Sequence, residues 1–122
     1  MYFKNAFDDA LAAIYFLLKR YPYHATVKKN RYEQSLFNFR LASLLKQAAL
    51  YNHAEQWFLK VIKEGQENNF VSGAYFHLGE IAYLKNDFDR AHEHFSKCLE
   101  NNPHHLKARA YYDELEKNIC KL

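Results

Sequence analysis

Apolar positions recur at helical intervals through most of this chain. Phe37, Leu41, Leu44, Leu45 and Ala48 sit at i, i+4, i+7, i+8 and i+11, which places them on one face of a helix over about 31–49. Tyr51, Ala54, Phe58, Val61 and Ile62 predict a second helix over about 51–65, with Gly65 as a natural stop. Tyr75, Leu78, Gly79 and Ala82 mark a third, and Ala91, Phe95 and Cys98 a fourth that Pro103 closes. Ala108, Tyr112, Leu115 and Ile119 form one stripe over about 104–121, opposite Lys107, Arg109, Asp113, Glu116 and Lys117. Near the start, residues 5–20 read as an amphipathic helix. Asn5 is its N-cap, Asp8 and Asp9 suit its positive end, Lys19 and Arg20 suit its negative end, and Pro22 stops it. The fold class this predicts is all-α, with about six helices.

The order of large and small residues repeats. Phe7, Ala10, Ile14, Leu17 and Pro22 reproduce the offsets of Phe88, Ala91, Phe95, Cys98 and Pro103. Ala54 and Phe58 match Ala91 and Phe95 at a spacing of 37, and the surplus over a shorter repeat is expected in a loop around Gln66 to Asn69. Small residues such as Gly79 and Ala91 let two helices approach closely, while Tyr75 and Phe95 fill the space on either side. Residues 21–31 break the pattern and carry Lys28, Lys29 and Arg31.

The stretch from Tyr75 to Pro103, with Tyr75, Leu78, Gly79, Ala82, Ala91, Phe95, Cys98 and Pro103 in that order, resembles the tetratricopeptide repeat (TPR) and its 34-residue pattern. The resemblance implies a TPR-like α-solenoid of antiparallel helix hairpins. On that register, 1–22 is a leading half-repeat, 23–34 a basic loop, 35–71 and 72–105 two hairpins, and 106–122 a helix capping the last apolar face. The first hairpin departs further from the family, with Asn38 in place of the usual Trp, Ala42 for the usual Gly and Leu45 for the usual Tyr. The second has Tyr75 and Ala82 at the Trp and Tyr places.

In the family, certain first-helix positions face a concave groove. Here they are Phe39, Arg40, Ser43, Lys46 and Gln47, then Phe76, His77, Glu80 and Tyr83, a mixture suited to a peptide or helix from another protein. For each aromatic the alternative is that it only packs between helices. The Lys and Asn that grip a C-terminal carboxylate in some relatives are absent, because Phe39 and Ser43 hold those places. A lone half-repeat would expose Phe3, Phe7, Leu11 and Ile14, a face for another copy of the chain or a further repeat.

Composition narrows the function. The 122 residues are 49% hydrophobic and 25% charged with a formal net charge of +3, which fits compact packing and gives only a mild basic bias. The basic loop with Tyr21, Tyr23 and Tyr32 beside it offers RNA a minor foothold. Two cysteines make no disulfide framework. Cys98 falls at a buried, reduced position, and a cytoplasmic setting is expected. No run is long enough to span a membrane. Seven histidines include no i, i+4 pair, so neither a metal nor any other cofactor is expected. His94 and Cys98 are one turn apart, but an inert core thiol is the expectation. Asp8, Asp9, Asp87 and Asp89 lie at helix starts, where the helix dipole accounts for them. The reading is a non-enzymatic interaction module. A second reading, from the resemblance of residues 77–108 to TPR segments on bacterial glycosyltransferases, is an accessory part of a larger enzyme.

Overall fold

The computed structural model describes residues 12–14, 16, 31–64 and 68–120, with backbone alone at 31–34, 68, 119 and 120. Its helices are α1 (Arg31–Gln47), α2 (Tyr51–Glu64), α3 (Asn68–Leu84), α4 (Phe88–Asn101) and α5 (Leu106–Cys120). Ala12 to Ile14 and Phe16 are helical as well, and no strand occurs among the described residues. α1 pairs with α2 and α3 with α4 across three-residue turns, and α5 packs on α4. This is an all-α solenoid of helix hairpins.

The two turns are built alike. Leu50 N–H donates to Leu45 C=O and Ala49 N–H to Lys46 C=O, while Asp87 and Asn86 make the same bonds to Ala82 and Tyr83. Ala49 and Asn86 are the left-handed residues, both at φ 62°. These bonds satisfy carbonyls that a helix end leaves bare. Asp87 then opens α4 as its N-cap, accepting from Arg90 N–H at 3.3 Å. α4 passes to α5 through Asn102, whose side chain accepts from His104 N–H, and His105, whose ring Nδ1 accepts from Ala108 N–H at 3.2 Å. His105 therefore caps α5.

Equivalent elements of the two hairpins are 37 residues apart, α1 to α3 and α2 to α4. Of the loop expected around Gln66 to Asn69, Asn68 and Asn69 belong to α3, and Gln66 lies outside the described residues. The first helix of each hairpin is the longer one, α1 and α3 having 17 residues against 14 in α2 and α4. Arg31 to Gln34 are the first turn of α1, at the start of the helix expected over about 31–49.

α3 is the shared wall of two apolar clusters. Ala74, Leu78 and Ile81 face Ala42, Ala54, Phe58 and Val61 from the first hairpin. Phe76 and Ala82 face Ala91, Phe95, Cys98 and Leu99 of α4 and Ala108 and Leu115 of α5. Burial of this kind is the main stabilising term, each fully buried large side chain contributing about 1.5–3 kcal/mol. Gly79 and Ala91 lie where α3 meets α4, and Ala91 is fully buried. Cys98 is also fully buried, and its sulfur lies 3.3 Å from the Ser72 hydroxyl. Burial pushes its thiol pKa up, the Ser72 bond opposing this only in part.

Candidate functional site

α1 and α3 pack directly on one another, a contact that α2 and α4 do not match. Between α2 and α4 lies a cleft of about 310 Å³, floored by Leu59, Leu78 and Ala82. The first helices thus draw together while the second ones spread, and the surface that α1, α3 and α5 share is the inner one.

On that inner surface the expected groove residues divide by what they touch. The Lys46 ammonium bonds the Glu80 carboxylate and stands 3.0 Å from His77 Nδ1. His77 Nδ1 is 3.5 Å from the same Glu80 oxygen, and the other Glu80 oxygen is 3.5 Å from the Tyr111 hydroxyl. Tyr83 donates to Glu114 at 3.4 Å. Three helices are therefore laced together by one set of polar contacts. Burial works against ionising Glu80, but hydrogen bonds from His77 and Lys46 and the Lys46 charge outweigh it and hold its pKa at about 2.

The His77 ring is stacked on Phe58 at 5.1 Å between centroids, with Phe39 and Phe76 at 5.7 and 5.5 Å. Phe39 also meets Phe58 and Phe70. Gly73 makes room for it, since a Cβ there would fall 2.9 Å from the Phe39 ring. Phe76 is only 7% exposed, wedged against Phe95, His105 and Tyr111, so its ring belongs to the interior. Ser43 donates to the Phe39 carbonyl of its own helix at 2.9 Å. Arg40 and Gln47 are exposed.

Lys46, His77 and Glu80 are thus brought together, and Arg40 and Gln47 are left open to solvent. Tyr111 was not among the expected groove residues. It lies parallel to Phe95 at 4.7 Å and touches both Phe76 and Tyr83. Its place next to Tyr112, on the expected α5 stripe, was the available signal. The self-association face falls largely outside the described residues. Phe3, Phe7 and Leu11 are not described, while Ile14 is helical and half-buried beside an exposed Phe16. Lys28 and Lys29 are likewise not described.

His92 and His94 lie on different sides of α4. His92 stacks on Tyr112 and its Nε2 is 2.8 Å from Glu116, whereas His94 lines the cleft between α2 and α4. Among the described residues no three His, Cys, Asp or Glu side chains are grouped so as to hold a metal ion. None of the described helices is long and apolar enough to cross a membrane.

No curated protein matches the chain. The tetratricopeptide repeat family matches residues 72–105, which run from the second turn of α3 through α4 to the start of α5. The same turn and the same small-residue crossing recur 37 residues earlier in the preceding hairpin, so the match at 72–105 and the helical architecture together fit a tetratricopeptide-repeat protein.

Proposed function

We propose that this chain is a non-catalytic interaction module, binding a peptide, a helix or another copy of itself along the inner surface of α1, α3 and α5. TPR repeats generally mediate contacts between proteins. The observation that carries the reading here is the division of that surface. Lys46, His77 and Glu80 hold the helices in register, while Arg40 and Gln47 stand free on the same wall. A rigid floor with adaptable polar groups above it is what a docked segment needs.

The test leaves the floor intact. In quantitative affinity capture, Arg40→Glu combined with Gln47→Glu should recover at most about a tenth of the wild-type amount of each specific partner, a loss of about 1.4 kcal/mol or more in binding. Equal recovery by wild type and variant would refute the groove assignment. Sedimentation of the wild type tests the self-association form, and one that stays monomeric at high concentration excludes it.

A further inference from the structure

Where the α3–α4 turn approaches the second half of α5, the surface opens into a recess of about 510 Å³, with Tyr83, Phe88 and Leu115 among its walls and Asp87 and Asp89 at its side. Phe88 is the first residue of α4, equivalent to Tyr51 at the start of α2, which packs onto the core of the first hairpin. Phe88 does not follow it inward. It stays 43% exposed, and Leu84, the last residue of α3, is 58% exposed. Its ring meets that of Tyr83 edge to face at 5.3 Å and 73°.

The charge lining the recess itself is negative, from Asp87 and Asp89. Asp87 caps α4 and has only a loose contact with Arg90, at 3.7 Å with both side chains largely in water. Asp89 has no cation within ion-pair reach among the described residues. Glu114, bonded to the Tyr83 hydroxyl, adds a third carboxylate at the inner rim. Two carboxylates outweigh the partial positive charge of the α4 terminus, which amounts to about half an elementary charge. A phosphate or carboxylate ligand is therefore disfavoured. An aromatic corner with carboxylates beside it is complementary to a planar cation, since the ring faces attract guanidinium and the carboxylates take its forked N–H groups.

We propose that this recess receives an arginine side chain of a protein partner, its stem against Phe88 and Leu115 and its guanidinium between the Tyr83–Phe88 corner and Asp87 and Asp89. The site lies at the rim of the solenoid, and it holds or falls separately from the groove.

The test is a nitrogen-15 NMR titration with acetyl-arginine amide, and with acetyl-citrulline amide as the neutral analogue of the same shape. Arginine should give saturable shifts at the amides of 86–89 and at Asn118, with citrulline about fivefold weaker or more, the scale expected of a cation–π contact plus an exposed ion pair. Asp89→Asn, an exposed change in the first turn of α4, should weaken arginine about fivefold and leave citrulline unchanged. Phe88→Ala should weaken both. No saturable shift, an equal response to the two probes, or indifference to Asp89→Asn would each overturn the assignment. The probe is a single residue that does not span the groove, so its failure leaves the groove reading standing.

Discussion

A Cβ atom built on Gly79 would lie 2.6 Å from Cε1 of Phe95 and 2.8 Å from two further atoms of that ring. The ring has little room to retreat, being fully buried with Tyr111 stacked on it. Gly79→Ala should therefore destabilise by about 1–3 kcal/mol, the usual cost of overfilling a packed core, and Ala91→Leu at the same crossing by as much or more. Thermal melting measures both, and an unchanged midpoint for either would show that the α3–α4 crossing is looser than this contact requires. Ala42, at the equivalent place in the first hairpin, is itself fully buried, so that crossing already accommodates a methyl group.

Glu80 makes the inner surface sensitive to acid. Its pKa in the folded chain is held at about 2 against an ordinary 4.5. A carboxylate with a depressed folded pKa contributes stability above its unfolded value and loses it as pH falls toward the folded one. The contribution should be full above about pH 5 and fade between 4.5 and 2. Glu80→Gln should accordingly cost about 1–3 kcal/mol at pH 7 and progressively less below pH 4.5. Urea midpoints of the two proteins across that range would decide it; a gap that stays constant with pH contradicts the Lys46–His77–Glu80 linkage.

The hairpin cores were legible because burial there follows from helical period and side-chain size. Ala54, Phe58, Ala91, Phe95 and Cys98, picked out by offset alone, are all fully buried. Phe76 and Tyr111 were harder, since their surroundings depend on where α5 settles across the end of α3. Phe76 holds a groove position by register, yet His105 and Tyr111 close over it. The Lys46–Glu80 bond was not legible either. It joins exposed-looking polar positions of α1 and α3, and no local pattern says which rotamers meet across two helices. The length of α3 escaped for another reason: Asn68 and Asn69 have loop propensities that packing of Phe70 against Phe39 overrides.

The α1–α2 turn holds an avoidable strain. Ala49 occupies the left-handed position at φ 62°, where Asn86 stands in the second turn, and it is exposed. A Cβ there costs about 1–2 kcal/mol, while glycine loses about 0.4–1 kcal/mol more entropy on folding. Ala49→Gly should give a net gain of about 0.5–1 kcal/mol, visible as a rise of a few degrees in Tm. A lower Tm would mean that the turn is not held in this conformation in solution.

Cys98 should behave as a structural thiol. It is fully buried, its pKa is raised by that burial, and Ser72 donates to the Cys98 carbonyl at 3.2 Å. In a Cys120→Ser background, alkylation of Cys98 by iodoacetamide should be negligible in the native state and appear only with unfolding. Its rate against urea should then track the unfolded fraction. Labelling that proceeds at the rate of a free thiol in buffer would mean that α3 and α4 part readily at this point.

Tyr111 makes the attachment of α5 separable into ring and hydroxyl. The ring lies at 3° to Phe95, and the hydroxyl reaches Glu80 at a long 3.5 Å. Burial and the nearby Glu80 carboxylate both raise the phenol's pKa, so it stays protonated and able to donate. Tyr111→Phe should then cost about 0.5–1.5 kcal/mol, the worth of one hydrogen bond. Tyr111→Ala should cost about 2–4 kcal/mol, because it removes the stacked ring and uncovers Phe95 and Phe76. If the two variants melt together, the hydroxyl and not the stack holds α5 in place. If neither moves, α5 is held by Ala108 and Leu115 alone.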